Sequence, residues 1–127
     1  MKKTESGPYI LHLCPRQFWE SALKSGEYRP PSLEKEGFIH CSLEHQILGV
    51  ANQFYRGVPD LVLLWIDPGK VESNIIFEGP PGESGELFPH IYGALNSEAV
   101  LSVEAFPIQE DGFFHSVPQP SEWLGGH

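Results

Sequence analysis

Six consecutive apolar residues, Leu61-Val62-Leu63-Leu64-Trp65-Ile66, stand between Asp60 and the turn-forming Asp67-Pro68-Gly69. Successive side chains of a strand point to opposite faces, so a run with no polar position is apolar on both faces. The run is short for a helix and of ordinary length for a strand. Residues 60–67 are therefore predicted to be a central strand covered on two sides, and the rest of the chain must supply the cover.

The covering elements can be read in order. Tyr9-Ile10-Leu11-His12-Leu13-Cys14 reads as a strand closed by Pro15, with Tyr9, Leu11 and Leu13 on the expected core face and Ile10, His12 and Cys14 opposite. From Arg16 to Lys24, Phe18, Trp19, Ala22 and Leu23 recur at helical spacing, and Gly26 sits where a left-handed C-cap is wanted. Glu27 to Lys35, with Pro30-Pro31, reads as a loop. Gly37 to Cys41 is a predicted strand. Ser42 is expected to cap a helix that runs to about Arg56, with Ile47, Val50, Ala51, Phe54 and Tyr55 as its apolar stripe and Gly57 as its stop. Asn74–Glu78, Phe88–Tyr92 and Val100–Phe106 are further predicted strands, and Gly79 to Glu86 is a loop. Two helices in the N-terminal half followed by a run of strands predict an α+β fold rather than a doubly wound parallel sheet.

A chain of 127 residues, 40% hydrophobic, suits one domain. Its core is expected over about residues 8–114, between a polar leader (1–7) and a tail (115–127). Phe113, Phe114 and Trp123 carry too much aromatic surface to stay in water, so part of this C-terminal region should dock. Eight Lys and Arg against 17 Asp and Glu give a net charge of −9, which excludes a duplex nucleic acid partner. A small anion could still be met by Arg16, Arg29, Arg56 or a helix N-terminus. No apolar signal run follows Met1-Lys2-Lys3, no segment is long enough to span a membrane, and two cysteines are too few for a disulfide framework. A reduced cytoplasmic protein without a membrane partner is expected.

Chemistry concentrates in Glu36-Gly37-Phe38-Ile39-His40-Cys41-Ser42. Of the six histidines, His12, His40 and His90 fall in or at the end of predicted strands. If those strands adjoin, one imidazole can serve as general acid or base while another orients a ligand. Taken singly, each is more often a satisfied structural group. His12, Cys14, His40 and Cys41 nominally offer a zinc ligand set, but neighbouring strand residues diverge and no CxxC or HxxxH spacing occurs, so no metal is expected. Alternation places Cys41 with Ile39 toward the core and leaves His40 and Ser42 for the site. His40-Cys41-Ser42 has the spacing of the element used by two-histidine phosphoesterases, but the chain lacks a second copy. Tyr28, Phe38 and Tyr92 are candidates for contact with a ligand ring. Glu34, Glu36, Glu78 and Glu86 are read as solvated surface, with Glu86 able to swing into a cleft.

Together, residues 9–13, 19–28, 36–42, 51–55, 60–64 and 87–93 resemble the domain-of-unknown-function family 952. The resemblance covers most of residues 8–114, and its most specific parts are the runs through Ser42 and Gly93. It implies an ADP-ribosyltransferase-like fold, a split mixed or antiparallel sheet around an NAD-binding cleft. His12 would then match a first-strand histidine beside the nicotinamide-side ribose, and His40 would line the same cleft. The transferase pattern adds a strand tyrosine and a late glutamate. Here histidine holds the second position and no acidic residue clearly holds the third, so an imidazole pair suits nucleotide binding or phosphate transfer better. The resulting expectation is His12 and His40 as catalytic residues, with Ser42, Tyr28, Phe38, His90 and Tyr92 contacting the ligand. NAD, ADP-ribose or a related nucleotide would be the partner, with NAD as substrate and no resident cofactor. The competing readings are a protein-interaction module with a vestigial cleft and a metal-dependent or phosphoesterase-type hydrolase.

Overall fold

A computed structural model describes residues 8–79 and 85–121. In chain order the elements are β1 (Ile10–Pro15), α1 (Arg16–Ser25), β2 (Glu27–Tyr28), α2 (Pro31–Glu36), β3 (Ile39–His40), α3 (Glu44–Phe54), β4 (Leu61–Ile66), β5 (Asn74–Glu78), β6 (Phe88–Tyr92), β7 (Leu95–Asn96) and β8 (Val100–Ala105). The fold is α+β. Three sheets, β1-β4-β8, β3-β6-β5 and β2-β7, carry these strands, and every pairing is antiparallel, so the parallel component of a mixed sheet does not occur among the described residues.

β4 is the middle strand of the first sheet, and all six of its residues are buried. Leu61, Leu63 and Trp65 pack on one face with Leu11, Leu13, Ile47, Ala51, Phe106 and Phe114. Val62, Leu64 and Ile66 pack on the other with Ile10, Trp19, Tyr28, Ile39, Ile91 and Leu95. Each such Leu or Ile contributes about 1.5–3 kcal/mol through its removal from water. β1 therefore has two core faces rather than the single one expected, because α3 and the tail cover one side while α1 and the sheet containing β3 cover the other.

The tail docks through named bonds. The Asn52 amide donates to the Phe114 carbonyl at 3.0 Å and its oxygen accepts the Phe114 N–H at 2.8 Å. Trp65 Nε1 donates to the Pro118 carbonyl at 3.0 Å, and the Arg56 guanidinium lies 3.9 Å over the Phe113 ring. Trp123 and His127 lie outside the described residues, as does the middle of the 79–86 loop.

Three local readings change. Residues 31–36 form a helix where a loop was expected. Pro31 occupies its first turn, where the fixed φ and missing N–H cost nothing, and Gly37 at φ +91° caps it by donating to Leu33. Ser42 does not cap α3. Leu43 holds the N-cap position, and Gln46 Oε1 accepts the Leu43 N–H at 2.9 Å. Ser42 is instead drawn into the sheet by two backbone bonds with Leu11, at 2.7 and 2.8 Å. α3 also stops at Phe54, with Tyr55 as C-cap, two residues before Gly57. No helix among the described residues is long and apolar enough to cross a membrane.

Candidate functional site

β6 alternates. Pro89 and Ile91 are buried, whereas Phe88, His90 and Tyr92 turn the other way and line a cleft of about 800 Å³. β3 lies beside β6 with His40 directly opposite His90. The chain then changes partners: Cys41 N–H donates to Pro89, and Ser42 bonds to β1. Cys41 borders the cleft but packs with Ile39 in the apolar core, as strand alternation predicts, while Ser42 follows it at the cleft edge. Cys41 is 3% exposed, and burial pushes its thiol up, which keeps it protonated and poor as a nucleophile. Val50, Phe54 and Tyr55 at the end of α3 complete the apolar wall.

The His40 and His90 rings lie 5.2 Å apart at 78°. Phe38 stacks on His90 at 4.2 Å and 12°, with Tyr92 5.2 Å from Phe38. Each imidazole has a carboxylate partner. His90 Nδ1 donates to Glu78 at 2.8 Å, and His40 Nε2 donates to Glu36 at 3.0 Å. The Tyr92 hydroxyl also donates to Glu78. The hydrogen bonds from Tyr92 and His90 hold the Glu78 carboxyl below its ordinary range, and the same carboxylate pushes the Tyr92 hydroxyl up. A carboxylate on Nδ1 fixes the ring orientation and leaves Nε2 as the atom able to exchange a proton with a ligand.

His12 lies behind this wall. It is 5% exposed, and both ring nitrogens are engaged: Nδ1 donates to the His40 carbonyl at 2.6 Å, and Nε2 accepts the Tyr28 hydroxyl proton at 2.7 Å. Burial lowers the His12 pKa from 6.5 to about 4, so the ring is neutral at physiological pH. Tyr28 is 2% exposed, and burial pushes its hydroxyl well up. The structure thus divides the predicted set. His40, Ser42, Phe38, His90 and Tyr92 line one cleft, while His12 and Tyr28 form an internal pair that supports β3 through its backbone.

Glu36 and Glu78, expected as solvated surface, each bond instead to a cleft imidazole. Glu78 shares one face of β5 with Asn74 and Ile76, and it reaches His90 because Ile76 pairs with His90 on β6. Glu86 is held outside this group, where it accepts from Gln46 Nε2 at 3.2 Å. His115 pairs with Asp111 in the tail at 2.8 Å. The three arginines suggested for an anion are also engaged elsewhere: Arg16 with Asp60, Arg29 with Glu27, and Arg56 with the Gly112 carbonyl.

Among the described residues, antiparallel sheets with three helices define a small α+β domain, with a cleft walled by two carboxylate-paired histidines. The model of the family described as protein of unknown function (DUF952) matches residues 13–103, and the chain belongs to that family. The crystal structure of protein CC0527 from Caulobacter crescentus is similar, with 27% identity, a TM-score of 0.75, and coverage of 84% of this chain and 93% of that one. The solution NMR structure of CC0527 gives a TM-score of 0.72 at 27% identity, covering 84% and 91%. No curated protein matches the chain.

Proposed function

We propose that the cleft binds a nucleotide of the NAD and ADP-ribose class, in a fold similar to that of the ADP-ribosyltransferases, and that His40 and His90 perform acid–base work on it. The observation that carries this reading is the facing pair of imidazoles, 5.2 Å apart on adjacent strands, in a cleft large enough for a nucleoside. His90, oriented by Glu78, is the better-formed proton exchanger, because its side chain is 13% exposed against 50% for His40. Ser42 offers a hydroxyl, while Phe38 and Tyr92 offer ring faces. His12 and Tyr28 act from behind by fixing the His40 backbone.

Titration calorimetry of the protein with NAD and with ADP-ribose tests the reading. Saturable one-to-one binding is expected for at least one of them. Absence of heat for both at millimolar ligand would remove it. A second reading, a protein-interaction module, draws on Phe54, an aromatic side chain 67% exposed beside the cleft.

A further inference from the structure

A strand at the edge of a sheet presents a row of unpaired N–H and C=O groups, and native folds cover or blunt such rows. Among the described residues, three of the four edges of the two larger sheets are met. β1 bridges through Leu11 to Ser42, and β8 carries the tail, where the Ser121 N–H donates to the Glu104 carboxylate at 2.8 Å. β3 has its His40 carbonyl bound by His12 at 2.6 Å. β5 is the exception, an end strand that pairs with β6 on its inner side. Asn74, Ile76 and Phe77 are exposed on it, the last two at 45% and 46%. Leu87, 50% exposed, lies against Gly79, the residue that follows the strand. Asn74–Glu78 also lacks the Lys, Pro or bulge that guards many edges. Its one charge, Glu78, is turned to His90 and Tyr92.

We propose that β5 is the contact through which a second copy of this chain pairs, antiparallel and about a two-fold axis at Ile76. The strand is self-complementary in this register, which uses all five of its residues. Asn74 faces the partner's Glu78, Ile75 faces the partner's Phe77, and Ile76 faces the partner's Ile76. Directly opposed residues share a face, so the partner's Asn74 amide is set beside the carboxylate that orients His90. The second copy thereby adds a hydrogen-bond donor next to the site, and both clefts open on the same face of a joined sheet made of β3-β6-β5 from each copy. A copy of this chain fits this edge better than an unrelated strand, because the polar ends of the segment match each other and its apolar centre matches itself. A contact of one short strand lies at the small end of specific interfaces, below roughly 1,200 Å², so a micromolar dissociation constant is expected.

Sedimentation equilibrium of the intact chain from about 1 to about 500 µM tests the proposal. The mass should rise with concentration from the 14.2 kDa of one chain toward twice that value. Ile76→Lys places two like charges opposite each other at the axis and should stay monomeric throughout. Its melting temperature should match the parent's, since Ile76 belongs to neither apolar core. Asn74→Asp sets a second carboxylate against Glu78 in both symmetric contacts and should weaken the dimer roughly fivefold. This variant changes one exposed side chain and keeps the test if Ile76→Lys does not fold. A chain that stays monomeric to the top of the range would overturn the proposal. So would a dimer that neither variant weakens.

Discussion

Acidification from pH 7 to pH 4 should remove roughly 3 kcal/mol of stability through His12 alone. Folding lowers this imidazole's pKa from 6.5 to about 4 because burial disfavours the charged ring. Between these two values the unfolded chain holds a proton that the folded chain does not. The contribution is therefore fully present above about pH 6.5 and is lost as pH falls through the folded pKa near 4. Charging the ring also conflicts with the Tyr28 bond, since a protonated Nε2 can no longer accept from the hydroxyl. Urea unfolding at a series of pH values checks this, with stability falling steadily below pH 6.5. His12→Gln removes the titration, and its curve should be flatter by about the same amount over that interval. An equal slope in both proteins would place the acid sensitivity elsewhere.

Removing the His90 imidazole should cost ligand affinity heavily and fold stability little. A hydrogen bond between an imidazole and a ligand, oriented by the Glu78 carboxylate, is worth about 1.5–3 kcal/mol when charge is involved, or roughly 10- to 150-fold in affinity. The side chain is partly open to solvent at 13% and belongs to neither apolar core, so His90→Ala leaves the packing around β4 intact. Calorimetry and thermal unfolding on the same variant separate the two effects. His40→Ala should lose less, because its ring and its Glu36 partner are each about half exposed, at 50% and 49%.

Parts of this fold were readable because single segments carry their own pattern. Leu61–Ile66 could be recognised as a doubly buried strand from six residues with no polar position, and Phe88–Tyr92 and Asn74–Glu78 coincide with their predicted limits. α1 was marked by its apolar spacing and by Gly26, which caps it at φ +86°. The two-residue strands β2 and β7 show no periodicity at that length, and the six-residue α2 was hidden by a proline pair that also suits a loop. Ser42 had the right chemistry for a cap, but its backbone is claimed by Leu11, a long-range contact that no local pattern announces.

The site was legible to a similar depth. His40, His90 and Tyr92 share a cleft because strand parity places them there once β3 and β6 are paired. Local pattern does not say which strands adjoin, so the Glu78 bond to His90 was not visible. The role of His12 depended on the other face of its strand also being covered, which turned an expected ligand contact into a buried support.

The division between His90 in the cleft and His12 behind it can be measured by NMR of the imidazole side chains during titration with ADP-ribose. The His40 and His90 ring resonances should shift in a saturable way, while those of His12, enclosed by the His40 carbonyl and the Tyr28 hydroxyl, should move least. A titration in which His12 responds most and His90 stays unchanged would contradict it.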